Sequence, residues 1–185
     1  MNRNKDKIEY AIYYATKAHK DQRRKIEDID MIFHPYTVGM ILQRNNCDEN
    51  IVAAGILHDV VEDTEHTFDD IEREFGKKIR DYVYDASEPD KSLEWEERKK
   101  HTIEQIKNAP LGSKLIVACD KISNLEDMED SIEIYGKSAW NALKRNKEVQ
   151  KWYYTSVYES CIKGVDSNHP IFERYKKILN SLFNY

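Results

Sequence analysis

The stretch from Ala53 to Thr64 constrains this chain most, because it places four ionisable side chains in and after an otherwise apolar run. Its letters, AAGILHDVVEDT, predict a helix that ends near residue 64. Burying ionisable groups without partners is costly. At 100° per residue, the ionisable groups share one sector of the helix and the apolar residues face the other side. The ionisable set is His58, Asp59, Glu62 and Asp63.

This polar edge predicts a metal site. His58 and Asp59 diverge by only 100°, so both can reach one cation. Imidazole and carboxylate together suit Mn²⁺, Fe²⁺ or Zn²⁺ better than Ca²⁺. Glu62 and Asp63 lie one turn further along, where a general base for an attacking water belongs. The alternative is a helix end with solvated acids and one core histidine; four such groups after an apolar run favour the metal site.

Composition indicates one all-α domain. The 185 residues suit a single core rather than two domains. Apolar residues make up 40% and charged residues 34%, with only 6 Gly and 4 Pro. This balance favours long helices with solvated outer faces over a turn-rich sheet protein.

The net charge and the cysteine content limit which partners the protein can bind and in which cellular compartment it lies. A net charge of −5 argues against a DNA or RNA partner, although a local basic cluster can still bind a small anion. Cys47, Cys119 and Cys161 are widely spaced and odd in number, which indicates free thiols in a reducing compartment. The first residues lack an apolar signal core, and no run approaches the length of a membrane span. We therefore expect a cytoplasmic protein that needs no membrane.

Hydrophobic periodicity predicts helices along the whole chain. Asp48 and Thr67 are predicted N-caps, with Asp70 completing a capping box and Gly76 ending that helix. The predicted loops are residues 26–33 and the polar segment 87–93, which is a candidate flap. The aromatic stripe from Trp140 to Ile162 predicts one long helix, followed by a last helix over about 170–183.

Two more residues are candidates for the same metal site. Asp120 interrupts a continuously apolar segment, so a carboxylate there is a strong candidate ligand, with an N-cap role as the weaker alternative. If the segment is a helix, Asn124 lies one turn later on the same face. His34 precedes Pro35 at a helix entrance. Taken alone, it is more often a capping or packed histidine than a ligand.

Two basic clusters are candidates for contacting an anion. One is the run from Arg23 to Lys25, which follows the first helix; its alternative is a solvated helix end. The other includes Arg98 and Lys99 in a charged helix. A solvated face with acid-base pairs explains that cluster nearly as well.

The order His34, His58-Asp59, Asp120 resembles the HD-domain metal-dependent phosphohydrolases. More narrowly, the chain is similar to the hydrolase domain of RelA/SpoT-type proteins and to the small alarmone hydrolases, which remove the 3′-pyrophosphate of (p)ppGpp. The string HDVVEDT is specific to such proteins, whereas a bare HD pair is not. The matching segments are Ala18–Lys25, His34-Pro35, Ala53–Thr64, Trp95–Lys99 and Asp120–Leu125.

The resemblance implies a role for each matching residue. One Mn²⁺ ion, with Fe²⁺ or Zn²⁺ as alternatives, would be held by His34, His58, Asp59 and Asp120. Glu62 and Asp63 look like the family's catalytic pair. Arg24 would stack on the guanine, with Lys25 and Asn124 contacting the nucleotide. It also implies a helical bundle of the HD phosphohydrolase type over residues 1–185, with a motif-bearing core over about 7–130 and C-terminal helices over about 137–183.

The sequence departs from the family pattern at three places. Asp21 replaces the usual Gly before Gln22, Asp30-Met31-Ile32 replaces Pro-Tyr-Ile, and Glu126 stands where Arg is common. We expect all three departures to lie around the nucleotide pocket. There they would affect guanine recognition, whereas the metal ligands are unchanged.

Three functions are consistent with the sequence. The main hypothesis is Mn²⁺-dependent cleavage of pyrophosphate from a guanosine 3′,5′-polyphosphate. A second keeps the metal centre but changes the substrate to another phosphorylated nucleotide or nucleotide cofactor. A third is a nucleotide sensor without turnover, which the intact Glu62-Asp63 pair disfavours because a sensor needs no groups that activate water.

Overall fold

The structure is a computed structural model that describes residues 6–24, 29–88, 92–136, 139–142 and 145–185. Within these ranges the regular elements are helices, and the one strand-like pairing is an isolated bridge between Arg23 and Asp30. The all-α prediction is confirmed. The helices are α1 (Lys7–Ala18), α2 (Phe33–Arg44), α3 (Glu49–Leu57), α4 (Val60–Asp63), α5 (Phe68–Phe75), α6 (Lys77–Ala86), α7 (Trp95–Lys107), α8 (Leu111–Tyr135), α9 (Ala139–Ala142), α10 (Lys147–Ile162) and α11 (Pro170–Phe183).

Helix α8 passes through the middle of the bundle. It contacts the earlier helices α2, α3 and α6 and also the later helices α10 and α11. Its fully buried residues Ile116, Ile122 and Leu125 contribute to the hydrophobic core. Because Asp120 lies between them, α8 carries this carboxylate into the interior next to α2 and α3.

Two glycines allow α2 and α3 to pack closely. A Cβ atom on Gly39 would lie 2.4 Å from Ile56 Cγ1, and one on Gly55 would lie 2.3 Å from Leu42 Cδ1. Neither distance is sterically possible without movement of the neighbour. The close packing brings the first turn of α2, which holds His34, near the end of α3.

The local signals for helix ends are confirmed. Asp48 accepts a hydrogen bond from the Asn50 backbone N–H at 3.0 Å. Thr67 and Asp70 form the predicted capping box, and Gly76, with φ of 85°, ends α5.

The central helix is not continuous, and this prediction is wrong. α3 ends at Leu57, and α4 begins only at Val60. His58 Nδ1 lies 2.8 Å from the Gly55 carbonyl oxygen. A side chain that hydrogen-bonds to a nearby carbonyl competes with the helical backbone bonds. His58 and Asp59 therefore form a turn between two helices.

The single long helix predicted through residues 140–162 is also wrong. α9 ends at Ala142 and α10 begins at Lys147, where the Asn146 side chain accepts from the Val149 N–H at 3.0 Å. Asparagine is a favoured N-cap, so Asn146 starts a new helix. Leu143 of the predicted stripe lies outside the described residues. The last predicted helix is confirmed as α11.

Cys47, Cys119 and Cys161 are free. Burial raises the pKa of Cys161 to about 12, so this thiol stays protonated at neutral pH. Among the described helices, none has the length and apolar character needed to span a bilayer.

Candidate metal centre and active-site cavity

Two buried imidazoles face each other at the centre of the site. The ring centroids of His34 and His58 are 5.2 Å apart. Each Nδ1 already has a partner: the Gly55 carbonyl oxygen for His58 at 2.8 Å, and Ser123 Oγ for His34 at 3.0 Å. A carbonyl oxygen can only accept, so Nδ1 of His58 carries a proton, and in the neutral ring the lone pair lies on Nε2. That Nε2 is buried without a hydrogen-bond partner among the described residues.

Two carboxylates lie beside these Nε2 atoms. Asp120 Oδ1 is 3.2 Å from His34 Nε2 and 4.0 Å from His58 Nε2. Asp59 Oδ1 is 3.1 Å from His58 Nε2, and Asp59 Oδ2 is 3.7 Å from His34 Nε2. His34, His58 and Asp120 each offer a ligand atom within 4.8 Å of the others. The structure thus brings together the four side chains that the sequence singled out.

These residues fit a divalent metal ion. The buried lone pair of His58 Nε2 needs a partner, and a buried polar atom without one is costly. The hydrogen bonds to both Nδ1 atoms fix the ring orientations, as in established histidine metal sites. Imidazole nitrogens with carboxylate oxygens are donors that divalent transition metals accept.

The electrostatics favour a cation at this position. Burial alone would raise the pKa of Asp120, but Lys121 and the two imidazoles hold it well below its usual value, so Asp120 is ionised. Burial likewise opposes a charged His58, yet Asp59 and Asp120 raise the pKa of His58 above its usual value. The field of the two carboxylates therefore stabilises positive charge next to His58 Nε2.

Neighbours on α8 hold Asp120 in place. Lys121 Nζ lies 2.6 Å from Asp120 Oδ2, and Asn124 Nδ2 donates to Asp120 Oδ1 at 2.5 Å. Asp120 lies inside α8, so the N-cap alternative is excluded. Asn124 lines the cavity, and its side chain also orients the Asp120 carboxylate.

The acidic pair is placed by two other segments. Glu62 Oε2 accepts a hydrogen bond from the Glu88 backbone N–H at 3.1 Å. The Asp63 carbonyl oxygen accepts from Gln22 Nε2 at 2.7 Å. Both acids line the cavity that His34, Asp59 and Asp120 also line.

This cavity has a volume of about 1150 Å³, which is ample for a nucleotide. Its lining includes three metal-site residues, the acidic pair, Arg24 and Lys99. It also includes neutral side chains from α8, α9 and α10. These are Met128, Ser131, Tyr135, Ala139, Gln150 and Tyr154.

Arg24 and Lys99 line the cavity. Arg24 Nη2 is paired with Asp127 Oδ2 at 2.5 Å. Lys99 Nζ contacts the Glu88 carboxylate, and burial followed by the nearby Lys121 charge lowers the pKa of Lys99 to about 8.

The other predicted cations are placed differently. Arg98 Nη1 lies 2.8 Å from Glu88 Oε2, and Arg98 is not among the described residues that line the cavity. Lys25 falls outside the residues that the structure describes.

Of the three departures from the family pattern, only Met31 lines the described cavity. Glu126 instead pairs with Arg174 on α11, with Arg174 Nη2 2.6 Å from Glu126 Oε1. Asp21 lies in the turn after α1 with φ of 65°, a conformation that favours Gly and is tolerated by Asp. The expectation that all three surround the pocket is therefore wrong.

Sequence reasoning gave no role to several residues around the site. Asp127 follows Asn124 by three residues on α8, so helical spacing could have found it. Glu88 gave no comparable signal, because its contacts come from segments distant in the chain. Gln22 lies in a matching segment, but its partners are visible only in the structure.

An all-α fold with two imidazoles and two carboxylates beside an acidic pair defines a helical protein with a divalent-metal centre. A family profile described as "HD domain" matches residues 11–146. The guanosine-3′,5′-bis(diphosphate) 3′-pyrophosphohydrolase MESH1 of Drosophila melanogaster is 38% identical over 160 residues, covering 85% of each chain. MESH1 of Xenopus tropicalis is 38% identical over 166 residues, covering 88% of this chain and 87% of that one.

Two solved structures are also similar to this chain. One described as a metazoan ortholog of SpoT that hydrolyses ppGpp superposes with a TM-score of 0.81 at 29% identity, covering 98% of both chains. Another, lmo0812 from Listeria monocytogenes EGD-e, gives a TM-score of 0.77 at 38% identity, covering 82% of this chain and 99% of that one. The chain belongs to the HD-domain family, and within it to the group that contains the MESH1 hydrolases.

Proposed function

We propose that this protein hydrolyses the 3′-pyrophosphate of guanosine 3′,5′-polyphosphates such as ppGpp, with Mn²⁺ as its metal. The products would be GDP or GTP and pyrophosphate. The observation that carries the proposal is the buried His58 Nε2 beside Asp59 and Asp120, two carboxylates that with His34 line a nucleotide-sized cavity. The MESH1 relatives are named for this activity.

The proposed reaction divides the work between the metal centre and the acids. His34, His58, Asp59 and Asp120 would hold a divalent ion, which when bound would offset phosphate charge and make a nearby water easier to deprotonate. The water oxygen would bond to phosphorus as the bond from phosphorus to O3′ breaks. The proton of the water would pass to Glu62 or Asp63, and the O3′ oxygen that leaves would take up a proton from solvent. The Glu88 N–H fixes the Glu62 carboxylate for this role.

The cations are assigned to the substrate. Lys99 supplies positive charge inside the cavity for a phosphate, and Arg98 supports it through their shared partner Glu88. Arg24, oriented by Asp127, presents a planar guanidinium that can stack on the guanine, with Lys25 and Asn124 completing the nucleotide contacts. We also interpret residues 1–185 as one hydrolase domain, because α8 contacts both the motif-bearing helices and α10 and α11.

The test is product identification from ppGpp with Mn²⁺, compared with a panel of other phosphorylated nucleotides and nucleotide cofactors. We expect GDP and pyrophosphate, with ppGpp the fastest substrate. Faster turnover of another nucleotide would support the proposed metal centre but identify that nucleotide, not ppGpp, as the substrate. Tight nucleotide binding without any turnover would instead indicate a sensor. Replacing Mn²⁺ with Fe²⁺ or Zn²⁺ tests the metal.

A further inference from the structure

We infer that Gln22 is a positioning residue that holds the short helix α4, which carries Glu62 and Asp63, in the orientation that catalysis requires. The inference rests on the proposed function in one respect, the assignment of these acids to proton transfer. Gln22 Nε2 donates to the Asp63 carbonyl oxygen at 2.7 Å, and Gln22 Oε1 lies 2.8 Å from His19 Nδ1. One side chain thus connects the end of α1 to the end of α4.

The directions of these two hydrogen bonds follow from their chemistry. A backbone carbonyl oxygen only accepts, so the amide NH₂ of Gln22 must face Asp63 and its oxygen must face His19. Gln22 Oε1 can only accept, so His19 carries its proton on Nδ1. His19 is itself firmly held: it is 3% exposed and its backbone N–H donates to the Ala15 carbonyl oxygen at 2.9 Å.

Helix α4 needs external support because it spans only Val60–Asp63. A single helical turn is not stable by itself. The carbonyl groups in the last turn of a helix have no partner within that helix, and Gln22 supplies one for Asp63. After α4 the backbone becomes extended at Thr64, so the turn ends directly beyond the acids.

Gln22 also borders the cavity, so a direct contact with the substrate is the competing role. Its side-chain oxygen and one of its N–H groups are already committed to His19 and Asp63. A positioning role predicts a loss in kcat with little change in KM, because the acids act only on the reacting water. A substrate contact predicts the reverse.

The experiment compares Gln22→Ala and Gln22→Glu with Gln105→Ala. Glutamate keeps the size of the side chain, but its carboxylate cannot donate to the Asp63 carbonyl oxygen. Gln105 is the matched control, since its Nε2 also donates to a backbone carbonyl, that of Tyr84 at 3.2 Å, away from the acids. Each variant is examined by hydrogen-deuterium exchange over residues 60–64 and by steady-state kinetics with ppGpp.

Both Gln22 variants should exchange faster over residues 60–64 and lose up to about 100-fold in kcat, the order expected for a small misplacement of catalytic groups, with KM changed by less than about threefold. His19→Ala should reproduce part of this loss, and the double variant should be no worse than Gln22→Ala. Gln105→Ala should change neither readout. Unchanged exchange over residues 60–64, or a raised KM with kcat preserved, would overturn the inference.

The two readouts separate this inference from the proposed function. If the parent protein does not cleave ppGpp, the proposed function fails while the exchange measurement still decides whether Gln22 holds α4. If the parent cleaves ppGpp and the Gln22 variants match it, only the role of Gln22 fails.

Discussion

The carbonyl oxygen of Gly55 accepts a hydrogen bond from His58 Nδ1 over 2.8 Å. This contact lies where α3 ends, before α4 begins at Val60. It also fixes the tautomer of His58, so that the lone pair on Nε2 faces Asp59 and Asp120. One backbone carbonyl therefore shapes both the fold and the metal centre.

Packing at Gly55 is the first property that can be tested. In Gly55→Ala, the new Cβ would lie 2.3 Å from Leu42 Cδ1, so the variant should lose about 1–3 kcal/mol of unfolding free energy by overpacking. Denaturant titration measures this loss. Leu42→Ala should cost less in the Gly55→Ala background than alone, because it removes the clashing atom. Strictly additive costs would show that the two side chains do not meet.

Glu62→Gln tests the acidic pair. Glutamine keeps an acceptor for the Glu88 N–H but cannot take a proton from water. Turnover of ppGpp should fall by about 10²–10⁴-fold, while Mn²⁺ affinity stays close to that of the parent. Glu65→Gln, an exposed acid in the same segment, is the control and should remain active. Turnover in Glu62→Gln equal to that of Glu65→Gln would remove Glu62 from the mechanism.

The lowered pKa of Lys99 predicts a pH dependence. Burial and then the nearby Lys121 charge lower this pKa to about 8, so the cation is present below pH 8 and is lost above it. Since kcat/KM reports ionisations of the free enzyme, kcat/KM should fall as the pH rises through about 8. In Lys99→Arg the guanidinium stays charged, and the fall should disappear. A pH profile in Lys99→Arg identical to that of the parent would assign the fall to another group.

Three of the four proposed metal ligands were visible in the sequence because they break a strong local pattern. His58 and Asp59 follow an apolar run, and Asp120 interrupts another that continues as α8. His34 differs: by itself it fits a helix entrance, and only its place in the order of the family motif marks it as a ligand. Helix caps such as Thr67 could also be predicted from the sequence, because capping depends on residues that are close together in the chain.

The features that could not be predicted from the sequence depend on side-chain contacts that local sequence patterns do not show. The break between α3 and α4 follows from the His58 side chain turning back onto Gly55, which helical periodicity does not register. Glu126 was expected at the nucleotide pocket, yet its position on α8 directs it to Arg174 of α11. The Gln22 bridge to Asp63 spans 41 residues of sequence.

The central claim is that His34, His58, Asp59 and Asp120 hold one divalent ion. Its most direct test is a calorimetric Mn²⁺ titration of the metal-free parent, of His58→Ala and of His101→Ala, an exposed histidine on α7. The account predicts one ion per chain and a metal-dependent rise in Tm for the parent and for His101→Ala, and loss of both in His58→Ala. Equal Mn²⁺ binding by His58→Ala and the parent would contradict it.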